Sequence, residues 1–147
     1  MRKSAGIMSM VVIGAGILMG LVFLGLKSLT LGLIYSGISA LSIYSVLMNY
    51  CRKCPHSMNN SCQHVLPGRI AKKLPYKKTG KYTIVELAIV LVVILVTFIF
   101  PIIYIYSNYL QLGIYLGLWI YGTLLLRVKV CPNCYNRWCV VCPNRVK

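Results

Sequence analysis

Four long apolar runs divide the chain: Ala5 to Leu26, Leu29 to Tyr50, Tyr82 to Tyr106, and Tyr109 to Leu126. Each is close to the roughly 20 residues that a helix needs to cross the hydrocarbon core of a bilayer. None contains Lys, Arg or Asp, and only the third contains an acid, Glu86. No polar face remains that would suit these segments to the surface of a water-soluble protein. The pattern predicts an all-α, polytopic membrane protein with four transmembrane helices arranged as two hairpins. Lys27–Ser28 and Ser107–Asn108 are the short polar connections within the hairpins. The chain then divides into a first hairpin (1–50), a Cys-rich basic loop (51–81), a second hairpin (82–126) and a Cys-rich tail (127–147).

Arg2 and Lys3 precede the first run, as they would in a signal peptide. Its apolar stretch exceeds the roughly 7–15 residues of a signal core, and no A-x-A site follows, so it reads as a retained helix. Composition agrees with four spans: 59% of residues are hydrophobic and mean hydropathy is +0.76, against roughly 45–50% apolar in soluble domains.

Charge sets the orientation. The net charge is +15, with sixteen Lys and Arg against one acid and no Asp. Every basic residue except Lys27 falls on the side that holds the N-terminus, the 51–81 loop and the tail. The positive-inside rule places that side in the cytoplasm, giving a multi-pass protein of the cell membrane with both termini cytoplasmic. The scarcity of acids also excludes chemistry. A carboxylate dyad, a Mg²⁺ or Ca²⁺ cage and a Ser-His-Asp triad cannot be assembled within this one chain.

The two halves repeat one plan: helix, tight polar turn, helix, then C-x2-C at the membrane exit. Such a repeat implies a pseudo-two-fold axis along the membrane normal, which would bring the two cysteine regions together. Gly16 and Gly20, and Gly113 and Gly117, form small-xxx-small pairs that allow close helix approach in lipid. Tyr104, Tyr106 and Tyr109 form an aromatic anchor at the far interface. Pro101 predicts a mild kink. Glu86 lies one turn inside the third span, within reach of Lys81 or Tyr82; as an intramembrane acid it is also a candidate for moving protons or ions.

All seven cysteines lie outside the spans, on the basic side. In a reducing compartment, disulfides are not expected there and metal ligation is. The tail reads C-x2-C-x4-C-x2-C through Cys131, Cys134, Cys139 and Cys142. Two C-x2-C turns can aim four sulfurs at one ion, as in a Cys₄ zinc site. Four thiolates also suit an iron–sulfur cluster, and Cys134-x4-Cys139-x2-Cys142 matches the first three ligands of plant-type ferredoxin spacing. In the loop, Cys51, Cys54 and Cys62 with His64 make a second candidate site, His56 competing as fourth ligand. The cofactor expected is therefore Zn or [4Fe–4S], in one or two centres. Bound metal would supply folding energy that these short polar segments lack. Arg52, Lys53, Arg137 and Arg145 would offset thiolate charge.

Arg69 to Leu74, with Ile70 and Leu74 on one face, reads as a short interfacial helix. With Lys72, Lys73, Lys77, Lys78 and Lys81 it forms a polybasic strip suited to anionic head groups. No stacking platform or groove-binding motif points to nucleic acid.

The stretch Cys51-Arg-Lys-Cys54-Pro-His-Ser and Cys62-Gln-His64-Val-Leu-Pro-Gly-Arg resembles small cysteine-rich, four-span membrane proteins of archaea, methanogens in particular. That resemblance implies an anaerobic setting rich in iron–sulfur proteins and carries no activity with it. Cys-x2-Cys-Pro at a membrane exit also resembles membrane-bound ferredoxin-type electron-transfer proteins, whose C-x3-C-P differs by one residue. The function expected is a metal-binding accessory or docking subunit of a larger membrane assembly, without catalytic residues of its own. Iron–sulfur electron transfer is the first alternative and thiol–disulfide exchange the second; a transporter or channel ranks last.

Overall fold

The computed structural model describes residues 2–54, 62, 65–75, 81–134 and 139. Five α-helices are present among them: α1 (Arg2–Lys27), α2 (Leu29–Asn49), α3 (Val65–Lys73), α4 (Ile84–Ile105) and α5 (Tyr109–Leu125). Four of the helical stretches are long and apolar enough to cross a membrane: Ser4–Lys27, Leu29–Lys53, Ile84–Ile105 and Tyr109–Val130. The chain is a multi-pass membrane protein. Large apolar side chains such as Leu18, Leu33, Val92 and Leu124 cover its outer surface. In water that surface would be costly; against lipid tails it is not.

The helix ends follow local chemistry. Ser28 alone, in extended conformation (φ −161°, ψ 131°), separates α1 from α2. α4 begins with a reciprocal capping box. Glu86 N–H donates to Thr83 Oγ1 (3.3 Å), and Thr83 N–H donates to Glu86 Oε2 (2.9 Å), so two of the donors a helix start leaves over find acceptors. At the start of α5, Asn108 Oδ1 accepts from Gln111 N–H (3.3 Å). On that same far side, Lys27 Nζ donates to the carbonyl of Tyr104 near the end of α4. The basic residue that breaks the charge asymmetry thus caps a helix C-terminus, where a cation is favoured. Tyr106 and Tyr109 are exposed there.

Neighbour choice departs from a pair of equivalent hairpins. α1 packs along α2, α5 along α1, and α4 along α2, with α1 and α4 meeting on the diagonal. The consecutive helices α4 and α5 touch far less than α1 and α2 do, with Phe98 against Tyr115 and Trp119 among their contacts. A two-fold axis would exchange the α1–α5 and α2–α4 pairs, and both are packed. It would also exchange the two hairpins, and those differ.

The core lies among α1, α4 and α5, around Phe23, Ile105, Tyr115 and Trp119. Pro101, on α4, is also fully buried. Lacking an N–H, Pro101 leaves the carbonyl four residues earlier, on Thr97, without its helical donor. The Tyr115 hydroxyl, from α5, lies 3.3 Å from that oxygen and 3.1 Å from the Phe98 carbonyl. Where no water is at hand, a side chain supplies the missing donor. Between α2 and α4, Ser42 Oγ donates to the Val93 carbonyl (2.9 Å) and meets Thr97 Oγ1 at 2.5 Å.

Glycine contacts correct one expectation. Gly16 and Gly20 do face the interior, but against rings. A Cβ on Gly16 would lie 3.2 Å from Trp119 Nε1, and one on Gly20 3.0 Å from the Tyr35 hydroxyl. Gly113 and Gly117 have nothing within 4 Å of where a Cβ would stand. The close backbone approach is instead at Gly32, whose Cβ would come within 3.1 Å of Gly25 Cα beside the α1–α2 turn.

Candidate cysteine site at the basic face

Both C-x2-C motifs fold into the same turn. Past the end of α2, Cys51–Lys53 form one 3₁₀ turn; past α5 and a π-helical stretch (Leu126–Val130), Cys131–Asn133 form another. In each, the backbone N–H of the second cysteine donates to the carbonyl of the first: Cys54 to Cys51 at 3.2 Å and Cys134 to Cys131 at 3.1 Å. The closing residues match as well, with φ −73°, ψ 119° at Cys54 and φ −94°, ψ 118° at Cys134. The repeat seen weakly in sequence is clear at this local level.

In the loop, Cys51 interacts electrostatically with both Cys62 and Cys54. Cys62 is held against α3, its Sγ 3.4 Å from where a Cβ on Gly68 would stand. α3 itself lies on the ends of α1 and α2, with Ala71 buried and Arg69, Ile70, Lys72 and Lys73 exposed. It is one turn longer at its start than the strip read from sequence. Arg52 ties the next segment down, its Nε donating to the Pro75 carbonyl at 2.7 Å.

In the tail, the Tyr50 hydroxyl and Cys139 Sγ are hydrogen-bonded at 2.8 Å, and Cys134 also acts on Tyr50 electrostatically. Tyr50 precedes Cys51 directly, so this one residue joins the loop cysteines to the tail cysteines. Its ring stacks on Tyr82 (centroids 4.5 Å apart, 7° between planes), and the Tyr82 hydroxyl donates to the Tyr50 carbonyl at 3.3 Å.

The oxidation states differ from expectation. Cys51, Cys54, Cys62, Cys134 and Cys139 are in the thiol form. Cys131, buried, is in a disulfide, although a reducing cytoplasm was expected to keep every sulfur reduced. A disulfide and a tetrathiolate metal site draw on the same closeness of sulfurs, and oxidation state decides which of them forms. Among the described residues, no three His, Cys, Asp or Glu side chains converge closely enough to hold a metal. His56, His64 and Cys142 lie outside the described residues, as do Lys77, Lys78, Arg137 and Arg145.

Charge at the site is also arranged differently. Lys53 Nζ is 2.7 Å from Glu86 Oε2 and donates to the Lys81 carbonyl at 3.1 Å. Glu86 therefore pairs with Lys53, a residue expected from the sequence to neutralise thiolates. The Thr83-x-x-Glu86 spacing before an apolar run is a capping-box signal already readable in the sequence. Nothing local in sequence points to Tyr50.

Compared with known protein families, curated proteins and solved structures, the chain matches none.

Proposed function

We propose that this protein binds metal, Zn or an iron–sulfur cluster, on cysteines at the cytoplasmic face of the cell membrane, and serves as an accessory or docking subunit of a membrane assembly. The observation that carries the reading is the pair of matching C-x2-C turns, one at the end of each hairpin, linked through Tyr50 and Cys139. Cys131, Cys134, Cys139 and Cys142 would form one centre, and Cys51, Cys54 and Cys62 with His64 or His56 a second. Reduction at Cys131 is a precondition for the first. The basic face rests on anionic lipid head groups through α3.

Metal analysis of anaerobically purified protein tests this. Zinc gives a colourless protein with about one equivalent per site and favours a structural role, since that ion has no redox chemistry. A brown protein whose visible absorbance bleaches on reduction favours electron transfer. Cys134→Ser loses the metal in either case. Metal-free protein whose stability is unchanged by Cys134→Ser refutes the proposal.

The disulfide at Cys131 favours a second reading, thiol–disulfide exchange. In that reading a neighbouring thiolate attacks the disulfide and a mixed disulfide forms as one cysteine leaves as thiolate. A reactive cysteine that traps such a mixed disulfide with a partner, in protein free of metal, would put this reading first.

A further inference from the structure

Tyr50 caps α2 and precedes the loop's C-x2-C turn, yet its side chain addresses the tail. The hydroxyl is 2.8 Å from Cys139 Sγ, across 89 positions of sequence. Cys134, which closes the tail's own C-x2-C turn, is a further electrostatic neighbour of Tyr50. The phenol is held from outside the tail. Its ring stacks on Tyr82 at 4.5 Å, and its carbonyl accepts from the Tyr82 hydroxyl at 3.3 Å. Its backbone N–H donates to the Val46 carbonyl at 3.0 Å. Tyr82 in turn precedes the Thr83 cap of α4, whose first turn the Lys53–Glu86 pair fastens to the turn after α2.

With Cys139 as a thiol, either group could donate in this contact. A metal-bound sulfur is a thiolate and has no proton, whereas a neutral phenol keeps one. The Tyr50 hydroxyl can then only donate. A neighbour that hydrogen-bonds a ligand fixes its orientation, and losing such a neighbour typically costs about 10–100-fold in metal affinity. Donors to sulfur also tune the potential of an iron–sulfur cluster.

We propose that Tyr50 is the outer hydrogen-bond donor to the tail's metal centre, its O–H donating to Cys139 Sγ. The first hairpin thereby supports a site whose ligands all come from the tail. This rests on the metal-binding reading and adds a positioning residue to it.

The test uses ¹¹³Cd²⁺ in place of the native metal, on full-length protein in detergent micelles. The protein is first reduced with a phosphine and kept free of oxygen. The ¹¹³Cd spectrum is recorded in H₂O and in D₂O for the natural chain and for Tyr50→Phe, which keeps the ring and its stack. A thiolate-ligated resonance is expected whose H₂O-to-D₂O shift shrinks in Tyr50→Phe, with cadmium held about tenfold more weakly. The isotope shift decides, because it reports the hydrogen bond to sulfur and not the packing of the ring. A smaller shift at any affinity supports the donor role. A shift that Tyr50→Phe leaves unchanged, at any affinity, overturns that role and leaves the metal reading standing. A natural chain that gives no such resonance overturns the metal reading and this inference together.

Discussion

Lys53 and Glu86 form a buried ion pair, 2.7 Å apart, between the turn that follows α2 and the first turn of α4. Glu86 is the one acid in the chain. Its carboxylate takes the Lys53 ammonium and the Thr83 N–H on the same oxygen, Oε2. The pair joins the two hairpins at the basic face, beside the Tyr50–Tyr82 stack. Through it, Glu86 holds the start of α4 to the turn after α2.

Removing Lys53 therefore strands a charge. Lys53→Met is expected to destabilise the protein by about 3–5 kcal/mol, the usual cost of breaking a buried pair from one side. Adding Glu86→Gln to it should recover much of that loss, because no unpaired charge remains. Thermal unfolding in detergent across the four-protein cycle measures the coupling. Equal, additive losses would show that the pair is not coupled.

Tyr115 and Pro101 should be coupled in the same way. Tyr115→Phe removes the donor to the Thr97 carbonyl and is expected to cost about 1 kcal/mol. With Pro101→Ala in place, the restored backbone N–H can serve that carbonyl, and the effect of Tyr115→Phe should shrink. The same unfolding measurement decides it.

The α3 helix exposes Arg69, Lys72 and Lys73 beside Ile70. Lys72→Gln with Lys73→Gln should weaken binding of the basic face to vesicles rich in anionic lipid by about 1 kcal/mol per residue. Raising the salt should act likewise, since exposed charges are screened beyond roughly 8 Å at physiological ionic strength. Flotation of inside-out membrane patches with such vesicles reports it, and unchanged flotation would leave the strip as a topology signal alone.

Sidedness and oxidation state can be read together. A membrane-impermeant maleimide applied to intact cells should leave Cys51 and Cys139 unlabelled, and lysis should expose them. Mass spectrometry after alkylation, without reductant, should show whether Cys131 carries its disulfide in the cell. Labelling of Cys139 from outside would reverse the orientation and move the disulfide into the compartment where such bonds persist.

The spans were legible in the sequence because hydrocarbon imposes one demand on any helix that crosses it: about 20 apolar residues without charge. The basic side was equally plain, since nearly all the Lys and Arg fall in the loop and the two ends. The C-x2-C repeat was visible, and the structure gives both copies one turn geometry, a local result of helix end and spacing. Which helices touch was not legible. In lipid, an apolar side chain has no preference between a neighbouring helix and a lipid tail, so the pattern does not mark the packed face. Packing alone decided that Gly16 and Gly20 receive rings while Gly113 and Gly117 face outward. Packing also set Lys53 against Glu86 and Tyr50 against Cys139, and buried Tyr35, Ser39 and Trp119. Those contacts join segments far apart in the chain, and it is the tertiary arrangement of the four spans that brings them within bonding distance.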